Sequence, residues 1–215
     1  MKPKQSGQFI TVGVDFDNTL VSYDNLIHRV AAERGLIGPQ SGLTKKRIRD
    51  SIRKLPEGEI KWQKLQALVY GPRIGEAAPA PGSVEFLEEC SRNGVKVKII
   101  SHKTEFANYD ETGTNLRCAA LSWLNQHCYF DSPSHGLSRD DVYFEATRKG
   151  KLDRISQLEC THFIDDLEET FLEESFPLRV LKILYSTQVS VPKPADVHLA
   201  GDWRRITDNF FHAEK

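Results

Sequence analysis

The sequence predicts an α/β fold: a doubly wound parallel sheet into which an α-helical cap is inserted. Five short β-branched runs end in polar residues, and longer stretches with apolar positions at helical spacing lie between them. Strands joined through helices in this way run parallel, with right-handed crossovers. The interval 20–81 breaks the alternation, since it has helical patterning and no convincing strand. With 215 residues and a rough guide of about 150 per domain, one domain with a sizeable insertion fits better than two equal halves.

The elements follow in chain order. The first strand is expected at 9–15 (FITVGVD), and helical patterns then cover 24–34, 43–55 and 59–70. The return path, 71–82 (GPRIGEAAPAPG), is dense in Gly, Pro and Ala and has the composition of a linker or hinge. A helix at 83–92, a strand at 95–101 (VKVKIIS), a helix at 115–127 and an irregular segment at 131–141 come next. The remaining strands are expected at 142–145 (VYFE), 161–165 (THFID) and 179–185 (RVLKILY), with helices at 151–158 and 167–175. The Pro-containing segment 190–194 is expected to run extended along the surface. The core is thus assigned to 1–20 and 82–215, and the cap with its linker to 21–81.

Composition excludes several classes of function. Hydrophobic residues make up 39% and charged residues 27%, a balance that suits a globular chain rather than a disordered one. Lys and Arg total 29 against 30 Asp and Glu, so no global field favours nucleic acid. No run approaches the roughly 18 apolar residues of a membrane helix, and Met1 to Gln8 lack the apolar core of a secretion signal. A cytoplasmic protein with neither nucleic acid nor membrane as partner is expected. The four cysteines are scattered without a C-x-x-C pair, as suits reduced thiols.

Chemistry concentrates at the predicted strand ends. The first strand runs into Asp15-Phe16-Asp17-Asn18-Thr19-Leu20, and residues two apart on an extended chain face the same side. Two carboxylates brought together in this way call for a bound cation or a shared proton. An Asx-type turn capping the next helix would use the same residue types. The run Phe163-Ile164-Asp165-Asp166 delivers a second acidic pair to the same edge of a parallel sheet, where ligands of open α/β folds bind. Oxygen-only ligands favour a hard ion, and Mg²⁺ suits one or two carboxylates with water and a substrate phosphate. Ser101 closes another strand and offers a hydroxyl and an N–H to a phosphate oxygen, although Ser at a strand end is also ordinary turn chemistry. Arg148-Lys149-Gly150-Lys151 precedes a helical stretch; such a basic stretch is commonly just solvated surface, but a helix start is also where anions bind.

In their order, these blocks resemble the four motifs of the haloacid dehalogenase superfamily of aspartate-nucleophile phosphohydrolases, whose core is Rossmann-like. The resemblance spans about 9–185 in layout, with its specificity in D-F-D-N-T-L and F-I-D-D. It implies Asp15 as nucleophile, Asp17 as general acid and base, and Thr19 as a support of the loop. A phosphate-binding set of Asn18, Thr19, Ser101, His102 and a motif-three lysine follows. Lys149, with Leu152 three positions on, is the favoured lysine and Lys151 the competing one. Metal binding falls to Asp166, with Asp165 supporting, beside the Asp15 carboxylate and the Asp17 backbone carbonyl, and Mg²⁺ is the implied cofactor. With the five predicted strands numbered along the chain, the family sheet would order them five, four, one, two, three.

Asp17 also bears on the subclass, because the dehalogenase and phosphonatase branches lack an acid at that position. A phosphohydrolase acting on a small phosphorylated metabolite, such as a sugar phosphate or nucleotide, is therefore expected. A phosphomutase keeps both acids, and a non-catalytic phosphate-binding module keeps the fold. Within the cap, Lys45, Lys46, Arg47, Arg49, Arg53 and Lys54 place six cations in ten residues, either to grip a second anionic group or simply as a solvated helix face. His102 and Lys103, following Ser101, are expected near the leaving group.

Overall fold

A computed structural model describes residues 9–38, 44–130, 136–186 and 196–212. The main sheet contains β1 (Thr11–Val14), β4 (Lys96–His102), β5 (Val142–Glu145), β6 (His162–Asp165), β7 (Leu181–Tyr185) and β8 (Val197–Ala200). All neighbours pair in parallel, in the order β5-β4-β1-β6-β7-β8. The five expected strands thus take the expected order, and β8 adds a sixth beside β7 that its four residues, Val-His-Leu-Ala, did not announce. This is a Rossmann-like α/β fold, with helices on both faces of the sheet.

Strand alternation divides the core. Val12, Val14 and Ile164 join one apolar cluster with helices α4 (Ser83–Arg92) and α5 (Leu116–Gln126), which supply Phe86, Leu87, Trp123 and Leu124. Phe163 and Ile100 face the other side, against Leu152 and Ile155 of α6 (Arg148–Gln157) and Phe171 of α7 (Glu168–Leu172). Gly13 makes the second layer possible: a Cβ there would stand 2.5 Å from Phe163 Cδ2, a separation real contacts do not tolerate. Side-chain caps fix the starts of α5 and α6. Asn115 accepts from the N–H groups of Arg117 and Cys118 below α5, and Thr147 accepts from Gly150 N–H below α6.

Between β1 and α4 the chain makes a short strand β2 (Val21–Ser22), helices α1 (Asp24–Glu33), α2 (Lys45–Ile52) and α3 (Gly58–Tyr70), and a strand β3 (Ala78–Pro79) antiparallel to β2. The three helices lie where the apolar spacing predicted them. The return path is not the loose linker its composition suggests. Trp123 Nε1 donates to Ala77 O at 2.9 Å, Gln126 Nε2 donates to Gly75 O at 3.0 Å, and Ala77 and Ala80 are buried. Small residues here allow close packing against α5, which an Ala/Gly/Pro count cannot distinguish from freedom.

Other departures are local. α7 stops at Leu172 rather than 175, because Glu173 adopts an extended backbone and the chain turns to pack Phe176 against Phe171, ring centroids 5.4 Å apart. A helix α8 (Trp203–Thr207), capped by Asp202, was not anticipated; Trp203 is buried and stacks near Phe86 at 5.0 Å. The segment predicted irregular at 131–141 lies partly outside the described residues, and its end forms a single 3₁₀ turn with Ser138 and Asp141 capping each other. The expectation for 190–194 lies outside the described residues. Among the described residues, no helix is long and apolar enough to cross a membrane.

Candidate active site

Asp15 sits just beyond β1, its N–H bonded to Ile164 O of the neighbouring β6 at 2.9 Å. Parallel pairing of β1 with β6 therefore carries Asp15 beside Asp165 and Asp166, at the carboxyl ends of the two strands. One carboxylate oxygen from each of Asp15, Asp165 and Asp166 lies within 4.8 Å of the other two. Asp165 is fully buried, and its other face is fixed by Leu167 N–H, which donates to Oδ1 at 2.9 Å.

The cation of this cluster is Lys151. Its Nζ donates to Asp15 Oδ1 at 2.6 Å and to Asp165 Oδ2 at 2.7 Å, with 3% of the side chain exposed. The Phe163 ring, seated over Gly13, lies 5.3 Å from the ammonium. The expected preference for Lys149 is corrected by helix geometry. Residues two apart on an α-helix point about 200° from each other, so only one of the two lysines of α6 can face the sheet edge. Lys149 is 77% exposed and pairs with Asp153 at 2.6 Å on the solvent side.

Burial and like charge leave the acids uneasy. Desolvation, aided by Asp165 and Asp17 and opposed by Lys151, pushes the Asp15 carboxyl up to about 6. Asp166 is raised well above its ordinary value, first by burial and then by Asp15 and Asp165. Burial works against the Lys151 charge, but Asp15 and Asp165 more than offset it and raise the ammonium. Three hard oxygen donors with charge to shed are a set that can hold a metal ion, which would relieve the repulsion that one lysine only partly offsets.

Asp17 has partners of its own. The Tyr23 hydroxyl donates to Oδ1 at 2.7 Å, and Lys103 Nζ donates to Oδ1 at 3.1 Å and lies 2.8 Å from Oδ2. Ser101 and Lys103 are both buried, two positions apart at the end of β4, and the ladder continues through Lys103 N–H to Glu145 O. His102, between them, turns the other way: its ring is exposed and its Nε2 lies 3.2 Å from Ala146 O. The structure therefore brings Lys103, and not His102, to the acids. Strand alternation from Ser101 carried that signal, whereas Tyr23 had none in the sequence.

The loop between the two acids is tightly built. Leu20 and Val21 N–H both bond to Phe16 O, and Asn18 takes a left-handed φ of 59°, a conformation Asn tolerates better than most residues. The Thr19 side chain is fully buried and its Oγ1 has no hydrogen-bond partner, while its carbonyl accepts from Trp203 Nε1 at 3.0 Å. Thr19 thus lies under the loop, closed to a ligand as the fold stands. Of the six cations read either as an anion grip or as a solvated helix face, Arg49 pairs with Asp50 and Arg53 with Glu59 at the surface, Lys46, Arg47 and Lys54 are exposed, and Lys45 is half-buried with its Nζ 5.6 Å from the centroid of the Tyr70 ring.

No protein-family model matches the sequence, and no curated protein matches it. Among solved structures, the chain is similar to a haloacid dehalogenase (HAD) hydrolase of family IA, variant 3, from Entamoeba histolytica, at 11% identity over 92% of this chain and 95% of that one, with a TM-score of 0.54. It is also similar to a HAD-superfamily hydrolase of subfamily IA, variant 1, from Geobacter sulfurreducens (13% identity, 95% and 97% covered, TM-score 0.53). A dehalogenase in an intermediate complex has 15% identity, 96% and 98% coverage and a TM-score of 0.55. The chain has the fold of the HAD-superfamily hydrolases.

Proposed function

We propose that this chain is a Mg²⁺-dependent phosphohydrolase that removes phosphate from a small phosphorylated metabolite through an aspartyl-phosphate on Asp15. The observation that carries this reading is Lys151, buried between Asp15 and Asp165 at 2.6 and 2.7 Å beside Asp166. A carboxylate cannot approach a phosphate dianion unless the charge of both is neutralised, and a buried ammonium on the attacking group supplies part of that. Asp15, Asp165 and Asp166 would hold Mg²⁺, which when bound offsets charge on the phosphoryl oxygens.

In the first step an Asp15 oxygen attacks phosphorus in line and the bond to the leaving oxygen breaks, with Asp17 giving that oxygen a proton. In the second, Asp17 takes a proton from a water that attacks phosphorus, which frees the Asp15 carboxylate and inorganic phosphate. Ser101, buried at the end of β4, is the candidate hydroxyl for a phosphoryl oxygen. Lys103 and Tyr23 orient Asp17 for both transfers. An acid at position 17, protonated for the first step, favours phosphate ester cleavage over halide displacement, whose leaving group needs no proton. In this reading α1 to α3 form a cap over the sheet edge, which keeps out water and bulky polymers. The reading includes a cytoplasmic setting, supported by four cysteines that are all free.

The test is phosphate release from a panel of phosphate monoesters by the wild type and Asp15→Asn, with Mg²⁺ and with EDTA. Release that needs Mg²⁺ and vanishes in the variant is expected. Equal, negligible release throughout would reject hydrolysis, and phosphate kept on an isomerised product would indicate a mutase.

A further inference from the structure

The two segments that join α1–α3 to the sheet are each tied to the core. On the way out, Thr19 O accepts from the buried Trp203 Nε1 at 3.0 Å, and the Tyr23 hydroxyl donates to Asp17. On the way back, the chain lies along α5 from its first residue to its last. A Cβ on Gly71 would stand 3.4 Å from Leu116 Cδ2, and one on Gly75 would stand 3.0 Å from Gln126 Oε1. Trp123 Nε1 donates to Ala77 O in the interior, and Gln126 Nε2 donates to Gly75 O. The segments also hold each other: Val21–Ser22 pairs antiparallel with Ala78–Pro79, and Ala80 N–H donates to Leu20 O at 2.7 Å.

A hinge needs residues that can absorb large changes in φ and ψ, and these segments have packed theirs away. Leu20, Val21, Ile74, Ala77 and Ala80 are all buried. Pulling the return path off α5 would break the hydrogen bond to Trp123 and uncover its indole, which packs edge-on against Phe16 of the loop between Asp15 and Asp17, with centroids 5.5 Å apart. The far end is held as well. Tyr70, the last residue of α3, meets Tyr23 edge-on at 4.6 Å, and its ring centroid lies 5.7 Å from Nζ of Lys103, which pairs with Asp17. At the surface, Lys64 of α3 pairs with Glu111 of the loop after β4 at 2.6 Å, and Arg29 of α1 pairs with Glu76 of the return path at 2.5 Å. Exposed pairs contribute little, so the holding falls to the buried contacts around Trp123.

We propose that α1–α3 and the sheet form one rigid body with Trp123 as its latch, so that the wall beside Asp17 is fixed and ligands reach the acids through a standing opening, not past a swinging lid. The segment whose Gly, Pro and Ala content has the look of a hinge is a seam. This inference stands on packing and does not rest on the phosphohydrolase reading. Where that reading holds, substrates are selected by the size of the opening and not by closure over them.

The test is amide hydrogen exchange on the full chain, followed by NMR in EDTA and in Mg²⁺. A segment that opens by itself exchanges faster than the core, whereas one that opens only with the core shares its rate, so Ala77 and Ala80 are expected within about tenfold of Trp123 and Leu124 in α5. Exchange faster than α5 by more than about tenfold would show the return path opening alone and would overturn the proposal. Trp123→Phe keeps a ring in place and removes the donor, and should speed exchange at Ala77 and Ala80 about tenfold. Should that variant not fold, Gln126→Ala carries the same test with a rise of about threefold. No rise in the variant that folds would remove the latch. Spin labels at Lys54→Cys on the inserted side and Lys149→Cys on α6, with Cys118→Ser and Cys128→Ser, give an independent reading by pulsed electron resonance. One narrow distance, the same in EDTA and in Mg²⁺, is expected, and a second population would contradict a single body.

Discussion

At the sheet edge, Lys151 meets Asp15 from 136 residues away and Asp165 from 14 away, and all three side chains are almost wholly buried. Between Lys45 and Lys54 the charge is as dense, but Arg49 bonds to the adjacent Asp50 and Arg53 to Glu59 six residues on, at the surface. The first region concentrates charge by bringing distant strand and helix ends together; the second is mostly a solvated helix face. Charge density in a sequence therefore says little about function until the fold decides which charges lose water. Lys45 differs from the rest of its stretch in being half-buried, with its Nζ 5.6 Å from the centroid of the Tyr70 ring.

The sharpest break of this contrast is removal of Lys151. Lys151→Ala leaves Asp15 and Asp165 buried without their cation and should cost about 3–5 kcal/mol in urea unfolding without metal. Mg²⁺-dependent phosphate release should fall by at least about 10³-fold, since charge neutralisation is lost at the attacking carboxylate. Near-wild-type values for both would show that the cluster is held by something other than this lysine.

Next in size is the response to metal and pH. The Asp15 carboxyl titrates at about 6 in the folded chain without metal, against about 4 when unfolded. Between these values the folded chain keeps a proton that the unfolded chain has released, so this group lowers stability as the pH rises from about 4 to about 6. Raised Asp166 acts in the same direction. Mg²⁺ binds the charged form, so the gain in melting temperature from Mg²⁺ over EDTA should be larger at pH 7.5 than at pH 5. An equal gain at both would place the metal elsewhere.

Tyr23→Phe takes one donor from Asp17 and leaves Lys103. A loss of about 1–2 kcal/mol in stability and about tenfold in kcat is expected, and an unchanged kcat would detach Tyr23 from the proton transfer. The smallest effect belongs to the solvent side of α6. Lys149→Ala should leave phosphate release within about twofold of wild type, as surface ion pairs contribute little; a large loss would restore the lysine that spacing alone favoured.

How much of this the sequence could supply follows the same division. Strand runs ending in D-F-D and I-D-D carried the acids to one sheet edge through period-two patterning and parallel pairing, whereas the strand order came from the family resemblance and not from the patterning. The choice between Lys149 and Lys151 failed on a helix boundary: the helix starts at Arg148, not 151, and only its phase turns Lys151 inward. His102 and Lys103 differ by one position on a strand, which is a difference of face. Tyr70 and Trp203 reach the site or its supporting loop through tertiary packing of segments up to 184 residues apart, for which no local pattern exists, and Tyr23, though only six residues from Asp17, reaches it through the turn between them, which no periodic pattern marks.

The most direct measurement is acid quenching of the Mg²⁺-loaded wild type during turnover of p-nitrophenyl phosphate, followed by peptide mass spectrometry. A phosphoryl group on the peptide at Asp15, absent from Asp15→Asn and from protein mixed in EDTA, is the predicted result. Turnover with the phosphoryl group on another residue, or with the same rate in Asp15→Asn, would contradict the account.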